Sequence, residues 1–215
     1  MIIDASFAEK LALHLLEINA VVLRPDDPFT WASGWNSPIY CDNRLTLRYP
    51  EIRSAIADQF VSFIEEKYPG VDVITGTATA GIPHAAWVAD RMEKPMAYVR
   101  SKAKAYGMGN QIEGGVEKGE KTVVIEDLIS TGGSVLSVVE ALKFIGADIQ
   151  AVTSIFTYGF DKSMEKFKDA GVTVHTLTDY TTLIDVAVQE GFIEKTDLEL
   201  LSEWRTNPET WPKDG

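Results

Sequence analysis

Hydrophobic residues along most of the chain alternate between short continuous runs and stretches with helical periodicity. Short runs bounded by turn residues are typical of buried strands, whereas apolar residues that recur every three or four positions indicate amphipathic helices. From residue 51 onward the two patterns take turns, which predicts a mainly parallel central sheet flanked by helices on both faces. The predicted helices span residues 51–67, 83–92, 135–145 and 162–170, and the predicted strands span residues 71–75, 95–99, 121–125, 150–158 and 172–177.

The first fifty residues follow a different pattern. A helix is predicted at about residues 6–19, and the segment after it carries Phe29, Trp31, Trp35 and Tyr40 among prolines and glycines. This segment is too irregular for the central sheet. Its aromatic density favours a planar ligand, although hydrophobic packing alone would explain it about as often. We therefore expect one structural domain, with an α/β core at residues 51–215 and a separate region at residues 1–50.

Three segments that follow predicted strands are candidates for the functional site. They are the turns at residues 77–81 and 126–134 and the loop at residues 100–119. Ligands of open parallel sheets bind at the carboxyl ends of the strands, where the chain order reverses. We therefore expect these three segments to meet at one edge of the sheet.

Two carboxylates and a turn rich in hydroxyls and glycines follow the strand at residues 121–125. Glu126 and Asp127 come first, and the turn at residues 130–134 leads into the next helix, with Gly146 expected just past its end. Backbone N–H groups and the positive end of the helix dipole converge in such a turn and favour a phosphate. Carboxylates would repel a bare phosphate but accept hydrogen bonds from sugar hydroxyls, so the string predicts a ribose 5-phosphate site. Helix capping by Asp127 or Ser130, with Glu126 in solvent, is the alternative.

Charge and composition narrow the possible partners. The chain has 215 residues and a formal net charge of −12, which argues against a nucleic-acid or anionic-membrane surface, since both require basic patches. No apolar run approaches the length of a membrane span. A strongly anionic phosphate ester needs a local basic cluster, and the loop at residues 100–119 supplies one with Arg100, Lys102, Lys104 and Lys118 beside five glycines. This composition is typical of a lid, and a solvated hairpin is the alternative.

Cys41 is the only cysteine, so an internal disulfide is impossible and a reducing compartment is expected. The opening residues Met1-Ile2-Ile3-Asp4 lack the basic and apolar regions of a signal peptide. We therefore expect a cytoplasmic protein. No histidine lies near Cys41 in sequence, and we expect it to be a small core or pocket-wall residue.

The segment at residues 126–134 resembles the 5-phosphoribosyl-1-pyrophosphate (PRPP) signature of the type I phosphoribosyltransferases. Further segments, at residues 29–34, 37–42, 76–83 and 100–107, resemble the members of that family that act on orotate. The likeness implies that residues 1–50, with part of the C-terminal segment, form a hood over a base-binding pocket. It also implies PRPP and orotate as substrates, Mg²⁺ as cofactor, and a homodimer in which the lid loop reaches the partner's active site.

The resemblance also assigns a role to each segment. Residues 130–134 would hold the 5′-phosphate, Glu126 and Asp127 would contact the 2′ and 3′ hydroxyls, and residues 77–81 would face the pyrophosphate through main-chain amides. Mg²⁺ would be held mainly by PRPP, with no direct protein ligand. The implied catalytic residues are Arg100, Lys102, Lys104, Tyr106 and Asp127, and the implied substrate-binding residues of the two turns are Thr77, Ala78, Thr79, Ala80, Gly81, Glu126, Asp127, Leu128, Ile129, Ser130, Thr131, Gly132, Gly133 and Ser134.

The base site is assigned in the same way. The likeness places Ser33, Tyr40 and Thr131 near the pyrimidine, and Arg44 is the candidate that compensates the charge of orotate. Pairing with a surface carboxylate is the alternative for Arg44. The arginine that usually contacts the base after the fifth strand is missing, because the segment Thr157-Tyr158-Gly159-Phe160 stands there.

Tyr106 stands where many relatives have a histidine. A phenol has a reference pKa of about 10, so it cannot supply a cation at neutral pH. We therefore expect Arg100, Lys102 and Lys104 to stabilise the leaving group, while Tyr106 only helps to close the lid.

Two other functions stay open. A sister enzyme would add a purine or uracil to the same sugar, and a regulator without turnover would keep the PRPP site as a sensor. Regulators of that kind generally carry a DNA-binding appendage, and none is visible in this acidic chain.

Overall fold

The protein is described here from a computed structural model, which describes residues 1–31, 33–100 and 111–211. Within these residues strands and helices alternate through the central part of the chain, and short strands precede them. The helices are α1 (Ala5–Glu17), α2 (Pro50–Lys67), α3 (Gly81–Arg91), α4 (Gly133–Phe144), α5 (Asp161–Asp169), α6 (Tyr180–Gln189) and α7 (Asp197–Thr206), with a 3₁₀ helix at Asn43–Arg48. The strands are β1 (Val21–Leu23), β2 (Phe29–Thr30), β3 (Asn36–Ser37), β4 (Ile39–Cys41), β5 (Val73–Thr77), β6 (Met96–Val99), β7 (Ile112–Glu113), β8 (Lys121–Ile129), β9 (Asp148–Thr157) and β10 (Val174–Asp179).

The central sheet of the described residues has six strands in the order β10-β9-β8-β5-β6-β7. All neighbouring pairs are parallel except β6 and β7, which are antiparallel. The predicted fold class, a mainly parallel sheet flanked by helices, is therefore confirmed. The order along the sheet reverses between β5 and β8, and the carboxyl ends of β5, β6 and β8 lie at the same edge.

Helices cover both faces of this sheet. On β8 the side chains alternate between two hydrophobic clusters: Val123 and Ile125 belong to one, and Val124 belongs to the other. The larger cluster contains buried residues of α1, α2, α3, α6 and α7, and the smaller one contains those of α4 and α5. The period of two residues along a strand explains why these runs of the sequence are hydrophobic throughout.

Two element boundaries differ from the sequence prediction in a way that affects the site. β8 continues to Ile129, beyond the predicted end at residue 125, because Glu126, Leu128 and Ile129 still pair with β9. The two carboxylates therefore belong to the end of a strand rather than to a turn. The short strand β7 pairs with the end of β6 and was not predicted, because two residues carry no periodic signal.

The segment from β1 to β4 lies outside the central sheet, as its irregular sequence predicts. β1 pairs with β4, and β2 pairs with β3, both in antiparallel fashion. Helix α7 packs against this segment: the fully buried Trp204 donates its indole N–H to the carbonyl of Asn36 at 3.0 Å, and its ring lies 5.6 Å from that of Trp31. None of the helices in the described part of the chain combines the length and the apolar character of a membrane-spanning segment.

Candidate active site at the carboxyl edge of the sheet

The turn at residues 77–81 and the carboxylate pair are in direct contact at this edge. The amide of Ala78 donates to the carbonyl of Val99 at 3.0 Å, which ties the turn to the end of β6. Gly81 begins α3 so close to β8 that a Cβ at this position would clash with the carbonyl oxygen of Ile125 and touch the α-carbon of Glu126. Two of the segments predicted to meet at one edge therefore do so.

Two helices begin at this edge without a side-chain cap. Gly132, at a φ of +77°, precedes α4, and Ala80 precedes α3; at neither position does a side-chain oxygen accept from the first turn. The first N–H groups of a helix have no partner within the helix, so they are left for water or a ligand. Thr131, Gly133 and Ser134 are exposed. Together these amides and hydroxyls form two sites suited to anions at the edge that carries the carboxylates.

Glu126 is buried, and one of its carboxyl oxygens has no hydrogen-bond partner among the described residues. Glu126 is 4% exposed. Its Oε1 accepts from the amide of Asp127 at 3.0 Å, and it is Oε2 that lacks a partner. The hydroxyl of Thr77 lies nearby but also lacks a bond of good geometry. Burial, and then the neighbouring Asp127, raise the pKa of the Glu126 carboxyl well above its usual range. Oε2 of Glu126 and the Thr77 hydroxyl are both buried polar atoms without a hydrogen bond among the described residues, and a polyhydroxyl ligand would satisfy them.

The raised pKa of Glu126 predicts how the stability of the ligand-free protein depends on pH. Unfolded, the carboxyl titrates at about pH 4.3, whereas the folded protein holds the proton to higher pH. Between these two pKa values folding takes up a proton, so stability present below the unfolded value is lost as the pH rises toward the folded one. We expect Glu126→Gln, which stays neutral, to raise the Tm relative to the parent protein, with no gain at about pH 4 and a clear gain at about pH 8.

Thermal unfolding followed by circular dichroism across this pH range is the measurement. Glu140→Gln, on the exposed side of α4, is the matched control and should give a difference in Tm that does not change in this way. A gain that is the same at all pH values would contradict the assignment of a buried, proton-holding carboxyl.

An aromatic cavity of about 570 Å³ lies next to the turn at residues 130–134. This volume falls within the range of about 300–1,000 Å³ that is usual for small-molecule sites. It contains five of the residues assigned to substrate binding, and none of the described residues that line it carries a charge. The lining residues are Phe29, Thr30, Trp31, Ser33, Trp35, Tyr40, Cys41, Leu128, Ser130, Thr131 and Tyr158.

Arg44 is engaged elsewhere. Its guanidinium donates to both carboxylate oxygens of Asp42, at 2.6 Å from Nε and 2.7 Å from Nη2, and its side chain is 64% exposed. The same hydrogen bonds lower the pKa of the Asp42 carboxyl. Arg44 does not line the aromatic cavity. Its proposed contact with orotate stays a prediction, and the alternative, a pair with a surface carboxylate, is the arrangement seen here.

The predicted lid loop is anchored at the same edge. The amide of Arg100 donates to the carbonyl of Gln111 at 3.0 Å, so these two residues of the predicted loop at residues 100–119 lie together beyond the end of β6. The guanidinium Nε of Arg100 lies 3.1 Å from a carboxylate oxygen of Glu113, which reduces the field that this cation offers to a ligand. Lys102, Lys104 and Tyr106 lie outside the described residues.

Six of the described residues that line the cavity were not assigned to the site from the sequence: Phe29, Thr30, Trp31, Trp35, Cys41 and Tyr158. Of these, Cys41 was expected to be a wall residue. Tyr158, directly after β9, lines the cavity and stacks on Phe160, with ring centroids 5.4 Å apart and planes at 8°. Trp35 lines it from the segment between β2 and β3. The usable signal for Tyr158 was its place as the last residue of a predicted strand, at the edge where ligands bind. Burial raises the pKa of the Cys41 thiol, which argues against a nucleophile.

Among the residues that the structure describes, no group of three or more histidine, cysteine or acidic side chains is arranged to hold a metal ion.

Comparisons with known proteins identify relatives along nearly the whole chain. Residues 47–191 match the family model of the phosphoribosyl transferase domain. The chain is 57% identical over 205 residues to the orotate phosphoribosyltransferase of Bacillus cereus strain B4264, covering 94% of this chain and 98% of that protein. It is 55% identical over 208 residues to the enzyme of the same name from Listeria monocytogenes serotype 4b strain F2365, covering 97% and 100%. The crystal structure of orotate phosphoribosyltransferase from Aeropyrum pernix superimposes with a TM-score of 0.73 at 28% identity, over 86% of this chain and 99% of that one.

Proposed function

The chain belongs to the orotate phosphoribosyltransferases, and we propose that it transfers the 5-phosphoribosyl group from PRPP to N1 of orotate, giving orotidine 5′-monophosphate and pyrophosphate. This reaction is a step of pyrimidine nucleotide synthesis. The C1–N1 bond forms as the bond between C1 and the pyrophosphate oxygen breaks, with inversion at C1.

One geometric observation carries the proposal. Two uncapped helix N-termini, at Ala80 and Gly132, lie at the same edge of the sheet as the carboxylates of Glu126 and Asp127 and an uncharged aromatic cavity. PRPP has two phosphate-bearing ends separated by a ribose diol, and its reaction partner is a planar base. Two anion sites, a carboxylate pair and an aromatic cavity at one edge of the sheet therefore match the set of groups that these substrates carry.

The roles of the residues follow from this match. The amides and hydroxyls at residues 130–134 hold the 5′-phosphate. The amides of the turn at residues 77–81, other than that of Ala78, which donates to Val99, hold the pyrophosphate. Asp127 and Glu126 accept hydrogen bonds from the two ribose hydroxyls, and the otherwise unsatisfied Oε2 of Glu126 gains a partner. The base lies in the aromatic cavity with Ser33, Tyr40 and Thr131. Because orotate is already ionised, the protein needs to orient its ring nitrogen more than to deprotonate it.

Cations of the lid loop complete the site when it closes. As the bond to C1 breaks, negative charge grows on the pyrophosphate and the sugar acquires oxocarbenium character. Arg100, Lys102 and Lys104 stabilise the leaving group, and closure excludes the water that would hydrolyse the sugar cation. For Arg100 this requires an exchange of partner from Glu113 to the diphosphate.

The residues present are compatible with Mg²⁺ that arrives bound to the substrate. Hard cations of this kind prefer oxygen ligands and are often held by substrate phosphates with few protein carboxylates. Among the described residues Asp127 is the half-buried carboxylate beside the ribose, and it is the side chain most able to contribute. When bound, the ion neutralises part of the charge of the diphosphate. We further propose that the protein acts in the cytoplasm as a homodimer whose lid loops reach the partner's site.

The test is an absorbance assay with the purified protein. Addition of PRPP and Mg²⁺ to orotate should cause a loss of orotate absorbance, and chelation of Mg²⁺ with EDTA should stop it. Parallel reactions with uracil, adenine and hypoxanthine identify a sister enzyme if one of these bases is consumed instead. Binding of PRPP without turnover of any base would identify the sensor.

Substitutions in the lid loop separate the charge of the loop from its closure. We expect Lys104→Ala to lower kcat by about tenfold or more, because it removes a cation that acts on the developing charge of the pyrophosphate. Tyr106→Phe should lower kcat by about threefold or less, since it removes one hydroxyl and no charge. Steady-state kinetics at saturating PRPP measures both. An unchanged kcat for Lys104→Ala together with a complete loss for Tyr106→Phe would reverse the assignment.

A further inference from the structure

Asn43 is a fully buried polar side chain that connects the aromatic segment to the carboxylate pair. Its exposed fraction is 0%, and its Nδ2 donates to the main-chain carbonyl of Asp127 at 2.7 Å. The two residues lie 84 positions apart in the sequence. A buried amide is costly unless its hydrogen bonds are satisfied, so its presence at this position indicates a required bond rather than packing alone.

The carbonyl that Asn43 contacts lies in the last part of β8, which pairs with a strand on one side only. β5 pairs with β8 only as far as Ile125, while β8 continues along β9 to Ile129. In this stretch the carbonyl of Asp127 accepts from a side chain of the 3₁₀ helix at Asn43–Arg48. Asn43 thus supports the backbone from which the Asp127 carboxylate projects.

The orientation of Asn43 is itself fixed by its neighbours. Its Oδ1 accepts from the thiol of Cys41 at 3.4 Å, and its own carbonyl accepts from the hydroxyl of Thr46 at 2.6 Å. Since the carbonyl of Asp127 can only accept, the amide nitrogen must face it. Cys41 lines the aromatic cavity, so one chain of hydrogen bonds runs from the wall of the proposed base site to the proposed ribose site.

We propose that Asn43 is a positioning residue for Asp127: it holds the end of β8 so that the carboxylate meets the ribose diol. This proposal rests on the proposed function. A carboxylate shifted by about 1 Å forms weaker hydrogen bonds to the diol, and such shifts can cost up to about 100-fold in rate. The loss should fall mainly on PRPP, because Asn43 does not itself line the cavity proposed for the base.

Two substitutions of Asn43 test the proposal. Asn43→Ala removes the donor, and we expect kcat/KM for PRPP to fall by about tenfold or more, with a change in KM for orotate of about twofold or less. Asn43→Asp keeps the shape; its carboxyl donates to the Asp127 carbonyl when protonated and repels it when ionised. Because position 43 is fully buried, the pKa of the introduced carboxyl is raised. The ratio of variant to parent kcat/KM should therefore rise as the pH is lowered from about 8 to about 6, whereas that of Asn43→Ala stays flat.

Thr153→Val is the matched control. Thr153 is fully buried in β9, and its hydroxyl donates at 3.2 Å to the carbonyl of Val124 on β8, the strand that carries Asp127. This substitution removes the same kind of bond from β8 at a distance from Asp127, so we expect a lower Tm and an unchanged kcat/KM for PRPP. An equal kinetic loss in the control, a loss of about twofold or less in Asn43→Ala, or a flat pH ratio for Asn43→Asp would overturn the proposal.

The readouts also separate this proposal from the proposed function. PRPP binding is measured by titration calorimetry for the parent protein and both variants, without any base. A parent protein that binds PRPP but does not consume orotate would refute the proposed function, while a weaker affinity in Asn43→Ala would still support the role of Asn43.

Discussion

Replacement of Asp127 by Asn is expected to lower kcat/KM for PRPP by about 100-fold or more. A hydrogen bond to a charged group contributes about 1.5–3 kcal/mol, and each 1.36 kcal/mol in a barrier corresponds to about tenfold in rate. The Asp127 carboxylate is half-buried at the edge of the sheet and is proposed to accept from the ribose diol. An amide of the same shape keeps the packing but loses the charge and one acceptor oxygen.

Comparison with the neighbouring carboxyl group strengthens this test. The pKa of Glu126 is raised by its burial, so this group already holds its proton to a higher pH in the ligand-free protein. Glu126→Gln therefore removes less negative charge from the site at neutral pH than Asp127→Asn does, and it should cost less activity. The expected order is a large kinetic loss with little change in Tm for Asp127, and a smaller loss with a gain in Tm for Glu126.

Steady-state kinetics with PRPP as the varied substrate, together with thermal unfolding, measures this order. Asp148→Asn serves as the control, because Asp148 is an exposed acidic residue at the start of β9, at the opposite edge of the sheet. A loss of less than about fivefold for Asp127→Asn would contradict a role in binding the diol. A large drop in the Tm of Asp127→Asn together with the loss of kcat/KM would indicate a structural role instead.

The sequence predicted the parts of the fold that depend on local pattern. The strands of the central sheet are short hydrophobic runs between turns, and the helices between them have a clear periodicity, so the alternation and the parallel sheet followed directly. The ends of the strands depend on partners that are distant in sequence. β8 extends to Ile129 only because β9 continues beside it, and no property of Glu126 or Asp127 alone indicates this pairing.

The site shows the same division between local and distant information. The phosphate-type turn at residues 130–134 and the carboxylates beside it are contiguous, so their chemistry could be recognised from the sequence. The bond between Asn43 and Asp127 spans 84 positions and leaves no local signal. Arg44 is the predicted partner for an anionic base, and in the structure its Nε and Nη2 donate to Asp42, two positions earlier. Competition between two nearby partners of one cation is decided by geometry that the sequence does not contain.

Replacement of Gly81 by Ala is expected to lower kcat/KM for PRPP by about 100-fold, because it would displace the turn that faces the pyrophosphate. Gly81 is buried at the start of α3, and its φ is not in the left-handed region, so the requirement for glycine is steric. A Cβ here would clash with the carbonyl oxygen of Ile125, and its other near neighbours are the carbonyl carbon of Ile125 and the α-carbon of Glu126. These are backbone atoms of a central strand, which cannot rotate away as a flexible side chain would.

The clash at Gly81 has to be relieved by moving either α3 away from the sheet or the end of β8 away from α3. The first movement shifts the amides at residues 78–81, and the second shifts Glu126 and Asp127, so both separate the pyrophosphate site from the ribose site. Overpacking of this kind also costs about 1–3 kcal/mol of stability, which thermal unfolding will detect. Gly70→Ala is the control, since its Cβ would have the flexible Lys121 side chain as its nearest neighbour, with Nζ at 3.6 Å. If Gly81→Ala kept kcat/KM within about threefold of the parent protein, the close approach of α3 to β8 would not be what sets the distance between the two anion sites.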